Sequence, residues 1–156
     1  MTHDRKDVST MSHHPVAGAT GEPARAFRVK LPVDQEVAVA RVTDAMAAEG
    51  FAIVTRTDLQ ATFREKLGLG YRPFLLLGAC NPTLAHRAVE ADPEAGLDLP
   101  CPVTIEGDPA GGTLVRIADP AQLAPSGPLA GVAAEAHDRL RRVADHLRVH
   151  ARSIAF

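Results

Sequence analysis

The chain is poor in aromatic residues and lacks the charge bias of a nucleic-acid-binding protein. Its 156 residues include five Phe, one Tyr and no Trp. The core must therefore be built from Val, Leu, Ile and Ala, which suits helices packed closely against a sheet. The 17 basic and 19 acidic residues give a formal net charge of -2, and no basic stripe with interleaved aromatic residues is present. We therefore predict that nucleic acid is not a partner.

Long apolar runs and a secretory signal are also lacking. The longest apolar runs, such as residues 74–77, are far shorter than the roughly 20 residues that cross a bilayer. The first segment, MTHDRKDVSTMSHHPVAG, is polar and has no apolar stretch of the kind that directs secretion. The two cysteines of the chain are too few for a disulfide framework. These features predict a cytoplasmic protein with no membrane partner, in which a reducing compartment leaves both thiols free.

The size and composition of the chain indicate a single domain after a polar leader. The hydrophobic content of 46% is ample for one continuous core in a chain of this length. Residues 1–23 are rich in His, Ser, Gly, Pro and charge without periodicity, which predicts a disordered leader. We expect residues 24–156 to form one domain that ends in a helix over residues 128–151.

Periodicity and capping residues predict the order strand, helix, strand, helix, strand, helix, hairpin, helix. Apolar residues alternate from Phe27 to Leu31, as in a half-buried strand, and Asp34 suits the N-cap of the next helix. The apolar run at residues 74–77 predicts a central strand that is covered on both faces. The Gly- and Pro-rich residues 107–112 predict a hairpin turn. The fold class is α+β, with a mixed or antiparallel sheet of about five strands, helices mainly on one face and a long C-terminal helix.

The C-terminal helix carries an apolar seam at alternating spacings of four and three. Its residues are Leu129, Ala133, Ala136, Leu140, Val143 and Leu147. The same repeat occurs in coiled coils, so the seam could serve self-association. An amphipathic helix that packs on its own sheet shows it too, and we favour that interpretation.

The most informative segment is LGACNP at residues 77–82, because it places a thiol between a buried strand and a helix N-terminus. Asn81 suits the N-cap and Pro82 the first helical position. The unpaired amides and the dipole of that helix stabilise an anion, which makes Cys80 a candidate thiolate. Alternatively, Cys80 is a small buried apolar residue beside a well-capped helix.

Cys101 lies between two prolines, which make its backbone stiff and extended. If the strands that carry Cys80 and Cys101 are neighbours, the two thiols could come within range of a disulfide or a shared metal ion. Their separation of 21 positions does not establish this. Two cysteines supply only half of a tetrahedral zinc set, and His86 is a weak third candidate because a solvent-exposed role suits it better. Phosphate-binding loops and hydrolase motifs are also lacking in the sequence.

Four segments of the chain resemble the domain of unknown function family 302. They are KLG at residues 66–68, LGACNP at 77–82, GLDLPC at 96–101 and DP at 119–120. The resemblance covers roughly residues 26–123 and leaves the leader and the final helix outside. It implies a small α+β domain of a kind that commonly forms homodimers.

Position by position, the resemblance points to Lys66, Cys80, Asn81, Pro82 and Cys101 as signature residues of the family. These include the two cysteines that the sequence itself singles out. The chain has Pro at position 102, where many members of the family have a polar residue. A side-chain hydrogen bond from that position is therefore in doubt.

Three functions are compatible with these features. The first is a homodimeric module that binds a small ligand, or a soft metal such as copper(I), through Cys80 and Cys101, with Lys66 and the amides at Asn81 supplying positive potential. The second is a thiol enzyme or carrier in which Cys80 attacks and Cys101 resolves a reversible disulfide. The third is a structural dimerising domain in which both cysteines belong to the core.

Overall fold

The computed structural model describes residues 25–154, which form a five-stranded antiparallel sheet and four α-helices. The strands are β1 (Ala26–Leu31), β2 (Ala52–Asp58), β3 (Phe74–Cys80), β4 (Cys101–Gly107) and β5 (Thr113–Ala118). The α-helices are α1 (Gln35–Ala48), α2 (Leu59–Leu67), α3 (Pro82–Ala91) and α4 (Ala130–Ile154), and two 3₁₀-helices span Pro93–Asp98 and Pro120–Gln122. The predicted α+β class is confirmed. The predicted leader lies outside the described residues.

The strands are arranged in the order β1-β5-β4-β3-β2, and every neighbouring pair is antiparallel. Helices α1 and α4 contact each other and pack on the same face of this sheet. The core lies between the sheet and these helices and includes Val42, Leu77, Ile105, Ile117 and Leu140, each at most 1% exposed. The other face, which we call the open face, carries more of the polar side chains.

Capping residues start and stop the elements as the sequence predicts. Asp34, Asp58 and Asn81 each accept a hydrogen bond from the backbone N–H three residues later, at the starts of α1, α2 and α3. Gly68 ends α2 with a φ of 65°, a conformation that favours glycine. The β4–β5 hairpin is confirmed. At its Gly112, with a φ of 79°, a Cβ atom would lie 2.5 Å from the Leu31 carbonyl oxygen, so the turn requires glycine there.

Strand β3 differs from its prediction as a strand covered on both faces. Leu75 and Leu77 point to the helices and are 2% and 1% exposed, whereas Leu76 points to the open face and is 36% exposed. Helices α1 and α4 both lie on the first face, and α2 has no buried residue. The apolar run therefore reflects a position inside the sheet rather than between two helical layers.

Helix α4 packs against its own sheet. Leu140, Val143 and Leu147 of its seam are at most 1% exposed, and the helix contacts β1 and α1. The amphipathic interpretation of the seam is confirmed, and self-association through it is wrong because these side chains are already buried within the chain. Within residues 25–154, no helix combines the length and the hydropathy that a membrane span needs.

Candidate functional site

The sheet register sends the two cysteine side chains to opposite faces. Ala79 lies directly across from Cys101 in the β3–β4 pair, and directly opposed residues project to the same face. Ala79 and Cys101 are 1% and 8% exposed, and both belong to the core on the helical face. Cys80 is the next residue along β3, so it projects to the open face, opposite Ala52 of the edge strand β2. Both cysteines are free.

A shared site of two thiols is therefore not formed, and the predicted copper(I) pair is not brought together. No cluster of three or more His, Cys, Asp or Glu side chains that could hold a metal ion occurs in the part of the chain that the structure describes. His86 is exposed and lies 3.5 Å from Glu90 on the same helix. Lys66 is exposed near the end of α2.

Cys101 instead lines an apolar cavity on the helical face. The cavity has a volume of about 110 Å³ and lies between α3, α4, both 3₁₀-helices and the adjoining ends of β3, β4 and β5. Eight of its lining residues are alanines, among them Ala85 and Ala88 of α3 and Ala133 of α4. The small alanine side chains leave the space open, because a larger side chain at these positions would fill it.

Larger apolar side chains complete the cavity walls. Phe51 and Leu84 are each 5% exposed and form part of the buried lining. Leu99 and Leu123 also line the cavity but are 36% and 61% exposed, so they stand where it opens to solvent. An apolar molecule at this opening would contact leucine side chains before it reached the alanines inside.

The Cys101 thiol is a neutral part of the cavity wall. Burial, together with a smaller effect of the negative charge of Asp119, raises the pKa of the Cys101 thiol to about 12. The Cys101 Sγ lies 3.5 Å from the Ala118 carbonyl oxygen, to which the S–H donates. At neutral pH the thiol is therefore protonated, which does not favour the predicted role of Cys101 as the resolving partner in a reversible disulfide.

Asn81 lines the same cavity and fixes the position of α3. Its Oδ1 accepts from the Leu84 N–H at 3.2 Å, and its Nδ2 donates to the Glu49 carbonyl oxygen at 3.4 Å. Asn81 is 7% exposed, so these bonds satisfy a buried amide. Of the four residues predicted to bind a ligand, Asn81 and Cys101 thus share a cavity, whereas Cys80 and Lys66 are not among its lining residues.

A buried carboxylate joins β5 to α4 beside the cavity. Asp119 is 6% exposed, and its Oδ1 accepts from the Ala121 N–H at 3.0 Å and lies 2.8 Å from Nδ1 of His137. The His137 ring packs against Phe27, with ring centroids 5.2 Å apart. This contact holds α4 against the end of the sheet. The sequence motif contained Asp119, but nothing in the sequence indicated His137, because the pair spans 18 positions.

A second buried carboxylate, on the open face, is a structural ion pair. Glu106 is 7% exposed and accepts hydrogen bonds from Arg72 and Arg116, the latter at 2.6 Å. Burial raises the pKa of Glu106, but hydrogen bonds from the two guanidinium groups lower it more, so its pKa lies below the ordinary value. All three charged groups are engaged with each other, and they form no candidate site.

The cavity itself was missed by the sequence analysis. Its lining comes from segments between Phe51 and Ala136, which only the fold brings together. The abundance of Ala predicts close helix packing rather than an open space. An alanine-rich helix next to the Cys-Asn-Pro segment was the one available signal, and it does not distinguish a filled interface from an open one.

The fold and the cavity define a class of protein: a small α+β domain with one helical layer on an antiparallel sheet and an alanine-lined cavity at one end. The chain belongs to the DUF302 family, since the family model for "Domain of unknown function DUF302" matches residues 27–147. This match extends past the residues 26–123 that the motifs indicated and includes most of α4. The family resemblance predicted from the sequence is confirmed.

A solved structure has the same fold. The crystal structure of uncharacterized conserved protein DUF302 from Bacillus stearothermophilus is similar with a TM-score of 0.72 and 23% sequence identity. The similarity covers 81% of this chain and 100% of that chain. No curated protein matches the sequence.

Proposed function

We propose that this domain is a binding module that takes up a small apolar ligand in the cavity beside Cys101. The observation that carries the proposal is an apolar space of about 110 Å³ that opens to solvent between exposed leucines. A protein cavity of about 150 Å³ lined by apolar side chains is known to bind benzene, so a ligand of similar or slightly smaller size suits this one.

The chemistry of the wall favours hydrocarbon over metal. The protonated Cys101 thiol is soft and polarisable, and such a group contacts aliphatic or aromatic carbon favourably. The amide of Asn81 is already engaged in two hydrogen bonds. Cys101 and Asn81 therefore remain ligand-site residues in this proposal. A metal ion bound by the pair Cys80 and Cys101 is not part of it.

The test is the binding of hexan-1-ol, followed by ligand-observed NMR. Ala88 is half-buried in the cavity wall on α3, so Ala88→Leu fills the space, and we expect it to weaken hexanol binding at least about tenfold. Ala91→Leu is the matched control, because Ala91 is exposed on the same helix and does not line the cavity. Equal hexanol affinity in Ala88→Leu and Ala91→Leu would contradict the proposal, as would the absence of binding to the unaltered protein.

A second candidate function, homodimerisation, is favoured by the surface of β2 and α2. Neither element has a buried residue, although β2 is an edge strand and α2 carries apolar side chains. Val54, Leu67 and Leu69 on and next to these elements are 57%, 63% and 57% exposed. We propose that a second copy of the chain covers this surface. The edge strands β2 of two copies can pair about a two-fold axis, and each copy then covers the same apolar patch on the other.

Sedimentation velocity tests the dimer, with Leu69→Glu as the disrupting variant and Leu97→Glu as the control. Leu97 is 86% exposed and lies on the 3₁₀-helix Pro93–Asp98, away from β2 and α2 in sequence. We expect the unaltered protein and Leu97→Glu to sediment as dimers and Leu69→Glu as a monomer. A monomeric unaltered protein, or a Leu69→Glu variant that remains dimeric, would contradict this interface.

We further propose a cytoplasmic location, in keeping with the two free cysteines.

A further inference from the structure

We propose that the natural ligand is a small organic amine, whose apolar body occupies the cavity and whose ammonium group pairs with Asp98. This inference rests on the proposed function, because it names the chemical class that the Cys101 cavity prefers. It follows from the charges around the cavity and from their existing partners.

Asp98 is the single ionised side chain among the described residues that line the cavity. It is exposed, and it makes no hydrogen bond or ion pair through its side chain to any other residue in the range 25–154. Asp98 immediately precedes Leu99, one of the leucines where the cavity opens. A carboxylate so placed attracts a cation and repels an anion that approaches the opening.

Basic side chains that could receive an anionic ligand are absent from the described lining of the cavity. On α3, Arg87 lies 2.6 Å from Glu135 and is thereby engaged. On α4, Arg139 contacts Glu135 at 3.3 Å and donates to the Glu49 carbonyl oxygen at 3.2 Å. A carboxylate or phosphate ligand would therefore lose hydration at the opening without gaining a positive partner.

A second carboxylate, that of Asp119, lies behind the cavity wall, 2.8 Å from Nδ1 of His137. The carboxylate of Asp119 lies behind Cys101, close enough for its charge to act on that thiol. Because Asp119 already has His137 as its partner, Asp98 is the acidic side chain without a partner at the cavity among the described residues. The size of the space limits the apolar body to about one aromatic ring or a chain of a few carbons.

The experiment compares hexylamine, hexan-1-ol and heptanoate at neutral pH by ligand-observed NMR, because these three carry the same hexyl chain on a cationic, a neutral and an anionic head group. A solvent-exposed ion pair changes affinity about two- to fivefold. We expect hexylamine to bind about threefold more tightly than hexanol, and heptanoate about threefold more weakly than hexanol. We also expect this order to weaken in high salt, which screens the carboxylate.

Asp98→Asn removes the charge, and Glu94→Gln is the matched control on the same 3₁₀-helix, at an exposed residue that does not line the cavity. The proposal predicts three nearly equal affinities in Asp98→Asn and an unchanged order in Glu94→Gln. Hexanol binding with no preference for hexylamine, or with heptanoate bound most tightly, would overturn the proposed amine ligand and leave the cavity proposal standing. Failure of all three compounds to bind would overturn the proposed function itself.

Discussion

Cys80 and Cys101 are one register position apart across two neighbouring strands, and their environments are opposite. Cys80 is partly exposed on the open face beside the exposed Ala52, whereas Cys101 is 8% exposed among core residues. The sequence identified both residues but could not separate them, because side-chain direction in a strand depends on register. Their different access to solvent and different protonation lead to two predictions.

The first prediction concerns alkylation of the folded protein by iodoacetamide at pH 8. We expect Cys80 to react at least about a hundredfold faster than Cys101, because Cys101 is buried and its raised pKa leaves almost no thiolate. Peptide mass spectrometry assigns the modified residue. In the Cys80→Ser variant the fast phase should disappear. Similar rates for the two thiols in the native protein would show that the register or the burial is wrong.

The second prediction concerns stability at high pH. The folded-state pKa of Cys101, about 12, lies above the value of about 8.5 for an unfolded thiol. Its contribution to stability is therefore complete below about pH 8.5 and is lost as the pH rises toward 12. Relative to Cys101→Ser, which does not titrate there, the unaltered protein should lose about 1.4 kcal/mol of unfolding free energy for each pH unit above about 9.

Urea unfolding of both proteins at a series of pH values from 7.5 to about 10.5 measures this difference. Other groups titrate in this range, but they are common to the two proteins and cancel in the comparison. Parallel stability curves would mean that the Cys101 thiol ionises as freely in the folded protein as in the unfolded chain.

At the scale of elements, α4 illustrates what a repeat pattern can and cannot decide. Its seam follows the coiled-coil spacing over about five turns, and over that length periods of 3.5 and 3.6 residues place the same residues on one face. The sequence therefore identified the buried face, with Leu140, Val143 and Leu147 in it. It could not say whether that face meets the sheet or another copy, because both partners bury the same side chains.

The third prediction follows from this packing. Leu140 is fully buried between α4 and the sheet, so Leu140→Ala should lower the free energy of unfolding by about 2–5 kcal/mol. Val149→Ala on the same helix, where Val149 is 60% exposed, should change it by less than about 0.5 kcal/mol. Chemical denaturation measures both values. A small effect of Leu140→Ala would contradict the placement of the seam in the core.

Helix α3 shows the same division between local and long-range information. Its start was predicted from Asn81 and Pro82, and both occupy the cap and first-turn positions in the structure. Its lining alanines become part of a cavity only through the approach of α4 and the two 3₁₀-helices. No local rule gives the distance between two helices that are separated by a hairpin.

For the whole molecule, the element order and the fold class were predictable, because each helix and turn carries its own signal. Asp34 and Asp58 start helices, and the glycines of residues 107–112 make the hairpin. The strand order β1-β5-β4-β3-β2 depends on contacts between distant segments and was not predicted. The candidate site was half predicted for the same reason, since Asn81 and Cys101 meet in a cavity that distant alanines form.

The cavity as a ligand site is the central claim, and intermolecular NOEs test it most directly. The protein is labelled at alanine methyl groups and saturated with hexylamine, with assignments made through single substitutions. We predict NOEs from the hexyl chain to the methyls of Ala85, Ala88 and Ala133, and none to Ala52 beside Cys80 on the open face. NOEs to Ala52 instead, or no NOE to the lining alanines at saturation, would contradict it.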